Sequence, residues 1–280
     1  MFSRVVTSCA ALAVSGLALL LPPVVSPAAA SEAWPARLAT TYAISFNGFD
    51  LGTFRLTAGV KGDTYRLDGD AEISALLGTF KWRGITKAEG RIEAARPRPA
   101  DYIFAFDGTS RSGSIKLGFD GKGPASVSIV PPLPDASDTA PLKPQHLPGA
   151  LDPLSAVMAM VRPQNGAPCN QRLGVFDGKQ RFDLVLTDKG RETVSRLDGR
   201  GTEQVFVCAV RYIPIGGYPL NDETRRMANA TDIEVAMRPV PAAGLHLPHE
   251  IRIPTVAGTV RLTARSLDVA AGTPRLALAR

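Results

Sequence analysis

The sequence predicts an all-β, mainly antiparallel fold: one large, strongly curved sheet, a half-barrel or β-spiral, wrapped round a single short helix. Three observations predict it. Roughly a dozen segments alternate apolar and polar residues with the period of two that marks a strand with one dry face. Asn-Gly and Asp-Gly pairs (Asn47-Gly48, Asp107-Gly108, Asp120-Gly121, Asp177-Gly178) separate these segments at hairpin spacing. Only one stretch, residues 151–162, has a convincing helical period. A sheet of this many strands accumulates twist until it curls. Two β domains flanking the helix are the competing arrangement.

The helix is expected over residues 152–162. Asp152 is a good N-cap, Pro153 suits the first helical position, and Pro163 ends the run. Leu154, Val157, Met158 and Val161 recur at the spacing of one buried face, and Arg162 complements the negative C-terminal end. About nine residues make a rod of roughly 13 Å, too short to persist alone. It must pack its apolar stripe on the sheet.

Taken in order, residues 1–30 read as a secretory signal. Arg4 precedes an apolar run over residues 5–21, and Ala28-Ala29-Ala30 offers a cleavage site. The mature protein is therefore expected in the periplasm, with membrane association at most peripheral. Residues 38–268 are expected to form one β domain. In the clearest strand Tyr65, Leu67, Gly69, Ala71 and Ile73 face one way, while Arg66, Asp68, Asp70 and Glu72 face the other. Arg96-Pro97-Arg98-Pro99 reads as a break. Six prolines within residues 131–148 read as an extended crossover delivering the chain to the helix. Strands return from Leu173, with turn signals at Asp188-Lys189-Gly190 and Gly216-Gly217. Residues 221–230 are polar and read as a loop, and residues 269–280 as a flexible tail.

The chain has 280 residues, 45% of them apolar and 21% charged, enough for a sizeable core. Its net charge of +6 falls to +5 if Arg4 leaves with the signal. The cations are scattered, with no Lys/Arg run longer than Arg225-Arg226, which argues against a nucleic-acid partner. Cys169 and Cys208 are the cysteines outside the signal, and in an oxidising compartment they most simply pair. Neither a C-x-x-C motif nor a nearby histidine supports redox or metal chemistry there. His246 and His249 are separated by Pro248 and would point to opposite faces of a strand, a poor metal pair. Residues 108–114 hold serines without a G-x-S-x-G elbow. Asp68, Asp70 and Glu72 share a wet face that solvation explains, although a glycosidase would need two such carboxylates converging in a cleft. Phosphate-loop and dinucleotide fingerprints are absent, and no cofactor is expected. Leu76, Leu77, Phe80 and Trp82 form an apolar patch, read either as core or as the lining of an apolar groove on the concave sheet.

The chain resembles an uncharacterised family of exported Gram-negative proteins, domain of unknown function 3108. The resemblance is carried by Tyr42 with Gly52 and Phe54, Tyr65-Arg66-Leu67, the Pro97/Pro99 break, Phe119-Asp120 and Asp152-Pro153-Leu154-Ser155, across most of residues 40–265. It implies an all-β periplasmic fold and transfers no catalytic residue. These readings converge on a non-enzymatic cell-envelope protein that binds a hydrophobic ligand, such as a lipid or lipoprotein acyl chain, or an envelope partner. An envelope glycan or peptidoglycan hydrolase, and a scaffold that adds a partner's strand to a sheet edge, are the alternatives.

Overall fold

Thirteen strands form a single antiparallel sheet in the computed structural model, which describes residues 34–133, 138–163 and 166–270. The first meander contains β1 (Arg37–Phe46), β2 (Phe49–Lys61), β3 (Thr64–Ala75), β4 (Phe80–Glu93), β5 (Arg96–Gly108), β6 (Ser112–Phe119) and β7 (Pro124–Val130). The second contains β8 (Gln171–Phe176), β9 (Arg181–Ser195), β10 (Thr202–Gly216), β11 (Glu234–Val240), β12 (Leu245–Thr255) and β13 (Gly258–Ala270). Pairing of β1 with β13 joins them, giving the order β7-β6-β5-β4-β3-β2-β1-β13-β12-β11-β10-β9-β8. The two outermost strands are therefore neighbours in sequence, linked by the segment that holds α1 (Pro153–Val161).

The sheet curls into a nearly closed, barrel-like wall, and the linking segment spans its seam. Gly149 N–H donates to Lys122 O in the β6–β7 turn (2.7 Å). Leu151 then pairs in parallel with Val175 of β8, donating to Gly174 O and accepting from Phe176 N–H, each at 2.8 Å. A Cβ on Gly178, in the β8–β9 turn, would lie 2.4 Å from Ile115 Cγ2, so that turn sits on β6 without room for a side chain.

The helix starts as expected: Asp152 Oδ1 accepts from Ser155 N–H at 2.9 Å. Its burial differs from the expected single stripe. Leu154 and Met158 join Tyr65, Leu67, Tyr102 and Leu117 of the first meander and Phe176 at the end of β8. Ala156 and Met160 join Leu173, Val175, Leu186, Val235 and Met237 of the second. Val161 packs with Leu38, Leu245 and Leu247, and Val157 is half-buried between the second and third clusters. With Ser155 the one polar residue among its nine, α1 is apolar nearly all round, as a helix buried on every side must be, and it forms an internal rod held from several sides.

The disulfide is formed. Cys169 and Cys208 are bonded with Cα atoms 5.0 Å apart, tying the segment after α1 to β10. Other expectations need correction. Residues 221–230 contain a second helix, α2 (Asp222–Asn229), capped by Asn221, whose side chain accepts from Thr224 N–H. The Pro97/Pro99 segment is not a break but part of β5, accommodated by a bulge between Glu89 and Gly90. Asp188-Lys189-Gly190 is a bulge inside β9 rather than a turn: Asp188 faces Cys208 and Gly190 faces Val207, leaving Lys189 extra. Within the proline-rich crossover, Thr139 bridges Pro219. The expected signal segment lies outside the described residues. Residues 269–270 end β13, and the rest of the expected tail lies outside the described residues.

Candidate functional site

Hairpin turns of a meander alternate between the two ends of the wall. The β1–β2, β3–β4 and β5–β6 turns share one end, and the β12–β13 turn joins them because Phe46 pairs with Val260. Asn47 fastens two of these turns: its N–H donates to Thr259 O (3.0 Å), and its Oδ1 accepts from Thr259 N–H (2.9 Å).

Between α1 and the wall lies an apolar cavity of about 230 Å³. Pro153, Leu154, Val157 and Met160 line it from the helix, and Tyr42, Phe54, Tyr102, Phe104, Pro248, Ile251 and Leu262 from the strands. Phe54, Phe104, Ile251 and Leu262 are only half-buried, so the cavity communicates with the surface. Along β1 and β13 the alternation carries the same face on to Ile44 and Phe46 and to Val260, toward the turns.

The aromatic rings lie flat on the wall instead of filling the space. A Cβ on Gly69 would meet the Phe54 ring at 3.0 Å, one on Gly84 the Trp82 ring at 2.3 Å, and one on Gly113 the Phe106 ring at 3.1 Å. Without a side chain at these positions, each ring can rest against the neighbouring backbone. The rings also follow one another: Phe104 to Phe106 at 5.7 Å and Phe106 to Trp82 at 6.4 Å between centroids, offset-stacked distances. This run connects the cavity to a hollow of about 350 Å³ bounded by Ile73, Phe80 and Trp82.

The apolar groove expected from Leu76, Leu77, Phe80 and Trp82 is thus placed differently. Trp82 and Phe80 border the outer hollow, while Leu76 stands at the β3–β4 tip, 78% exposed. A run of apolar residues continues into the turn there, and a turn tip has no opposing layer to bury it. Most of the cavity wall was not legible beforehand, since it is assembled from β1, β2, β4, β5, β12 and β13.

The cavity lining carries the hydroxyls of Tyr42, Thr86 and Tyr102, and a buried polar group lies beside it at the start of α1. Tyr65 OH and Ser155 Oγ are 2.7 Å apart, and Asp152 Oδ2 has no hydrogen-bond partner among the described residues. Burial pushes the Asp152 carboxyl up to about 6 and holds the Tyr65 phenol above its ordinary range. Tyr42, whose OH donates to Pro248 O at 3.0 Å, is pushed up to about 12 by burial. No histidine belongs to this group, and its raised tyrosines are poor bases. Its geometry fits anchoring of α1: Tyr65→Phe should cost about 1–3 kcal/mol by stranding the Ser155 hydroxyl. Urea unfolding of Tyr65→Phe, Ser155→Ala and the double variant checks this, with the double variant expected to recover part of the loss.

The other sequence candidates lie elsewhere. Asp70 and Glu72 face Arg83 at 3.1 and 3.8 Å, and Asp68 faces Lys87 at 3.9 Å, an exposed ladder of ion pairs rather than a convergent pair of carboxylates. His249 Nδ1 lies 2.8 Å from Arg238 Nη2, and burial together with that cation lowers its pKa. His246 packs edge-on against Phe206. Among the described residues no cluster of His, Cys, Asp or Glu is arranged to hold a metal.

Comparisons with known proteins agree with this architecture. A crystal structure titled as a beta-barrel-like protein of domain of unknown function DUF1849, from Brucella abortus, superposes with a TM-score of 0.55 at 9% identity, covering 84% of this chain and 98% of that one. At that identity the likeness shows the fold alone. No curated protein matches the chain. The family model described as protein of unknown function (DUF3108) matches residues 41–265, which include every residue lining the cavity; the chain belongs to that family.

Proposed function

We propose that the protein is a non-enzymatic cell-envelope protein that holds a single acyl chain between α1 and the curved sheet. The apolar cavity carries this reading. Its volume of about 230 Å³ falls below the ~300–1,000 Å³ of sites for compact, drug-sized ligands. A slender alkyl tail suits it better, with the bulkier end of the molecule among Trp82, Phe106 and the outer hollow. The turns at this end add support. Phe49 and Val256 are each 75% exposed, at the β1–β2 and β12–β13 tips, where a chain would enter from a lipid surface. Among the described residues, none of the large exposed apolar side chains lies at the turns of the opposite end. The buried disulfide agrees with an oxidising compartment, for which the periplasm is our reading. Among the described residues no helix is long and apolar enough to cross a membrane.

Native purification followed by organic extraction and mass spectrometry should recover fatty acyl species, and a fluorescent fatty acid should compete with them. Leu262→Trp, which projects a larger ring from the cavity wall, should abolish acyl binding while leaving the melting temperature close to wild type. Protein free of lipid that also fails to take up the fluorescent fatty acid would overturn the proposal. So would unchanged uptake by a folded Leu262→Trp variant.

A further inference from the structure

The geometry points to a second site, at the seam, for an anion of the phosphate-ester class. A pocket of about 460 Å³ opens where the β4–β5 turn, the segment before α1, the end of α1 and β8 meet. Four arginines line it: Arg96 and Arg98 from β5, Arg162 from the end of α1, and Arg172 from β8. Asn170 and Gln171 add amides, and no carboxylate belongs to the lining.

The chemistry around the pocket narrows its ligand. A fifth guanidinium, Arg181, lies against Gly174 of the lining, 2.6 Å from where a Cβ would stand, with Asp183 Oδ1 3.5 Å from the same point. Glu93 lies 3.4 Å from Arg98, and Asp183 is shared by Arg172 and Arg181 at 2.6 Å each. The Glu93–Arg98 pair is exposed on both sides, so it is weak and easily exchanged for a ligand oxyanion. Asp183 is buried and holds two planar forks in fixed positions. The Arg162 side chain is similarly fixed, donating from Nη2 to Ala243 O (2.6 Å) with its guanidinium 4.2 Å from the Trp34 ring centroid. Guanidinium forks held in place match the paired oxygens of a phosphoryl group. A pocket with more guanidinium groups than carboxylates around it, and with partly buried walls, also concentrates the field on its occupant.

The site is independent of the acyl cavity. It includes the β4–β5 turn, at the end of the wall opposite the exposed apolar tips, so both sites can be filled at once. A soluble phosphate ester and a phosphorylated lipid headgroup present the same oxygens.

The test is calorimetric titration of the full chain with inorganic pyrophosphate, alongside co-sedimentation with phosphatidylcholine vesicles carrying phosphatidic acid. An Arg96→Gln/Arg98→Gln variant should weaken binding roughly tenfold or more. Arg66→Gln/Arg83→Gln, the same charge change on the exposed face of β3 and β4, should leave it unchanged. Pyrophosphate binding assigns the site to soluble phosphate esters, and binding of acidic vesicles alone assigns it to a lipid headgroup. Failure of the folded wild-type protein to bind either overturns the inference, as does equal loss in the two double variants.

Discussion

Replacing Cys169 and Cys208 together by alanine is expected to lower stability by about 4 kcal/mol. The bond closes a loop of 39 residues, and for that length the chain-entropy model places most of the effect in the unfolded state. The folded state adds to it, because both sulfurs are buried in the cluster that contains Met160, Leu173 and Leu186. Position matters as much as loop length. β8 has six residues and lies at the edge of the sheet, paired on one side by β9 and on the other only through Leu151. The bond anchors the start of that short strand, and with it the exit of α1, to the long strand β10. Urea unfolding of the oxidised protein, the reduced protein and the double-alanine variant measures this. The two forms without the bond should share a midpoint well below the oxidised one, and the cross-linked form should have the smaller m-value, since its unfolded state exposes less surface. Coincident midpoints with and without reductant would remove the bond from any account of the fold's stability.

Local regularities explain what the sequence reveals of this architecture. Alternation in residues 65–73 identifies β3 because one face of the sheet is dry and the other is a ladder of ion pairs. The Asp152-Pro153 pair announces the helix start because both residues act within a single turn. The all-round burial of α1 is harder to see. Ala156 and Met160 extend the apolar surface to a further side, yet a stripe through Leu154, Val157, Met158 and Val161 already accounts for one packed side. Strand β7 was legible in principle: Val127 and Ile129 alternate with Ser126 and Ser128, but the segment is short and starts at a proline. The cap at Asn221 with Asp222 and Glu223 in the first turn is the corresponding signal for α2, which lacks a buried face. Neither site has such a signature. The cavity joins residues from Tyr42 to Leu262, and the arginine pocket joins β5, α1 and β8. The cavity exists only once the middle of the sheet has curled round α1, and the arginine pocket only once β8 and the end of α1 have been brought beside β5.

The pH dependence of stability should carry a component of about 3 kcal/mol that belongs to Asp152 and disappears in Asp152→Asn. Burial raises this carboxyl from 3.8 to about 6, and Asp152 is 0% exposed. A folded-state pKa above the unfolded one means that the folded protein holds the proton more tightly. The stabilisation is therefore complete below about pH 4 and lost progressively as pH rises toward 6 and beyond. The helix dipole opposes this by favouring the anion at the N-terminus, but it contributes roughly 0.3–2 kcal/mol, and burial outweighs it here. The neighbouring phenols of Tyr65 and Tyr102 are both raised and remain protonated throughout this range. Asparagine is a comparable N-cap and can still accept from Ser155 N–H, while its side chain does not titrate. The informative quantity is the wild-type stability minus that of Asp152→Asn, measured by chemical unfolding at several pH values from 4 to 7.5. It should fall as pH rises, and parallel profiles would mean that Asp152 is already ionised in the fold at acid pH. Because Pro153 and Leu154, the next two residues, line the apolar cavity, the same titration should loosen the cavity floor at neutral pH. Acyl binding by the wild type should then weaken between pH 5 and 7.5, more than it does in Asp152→Asn.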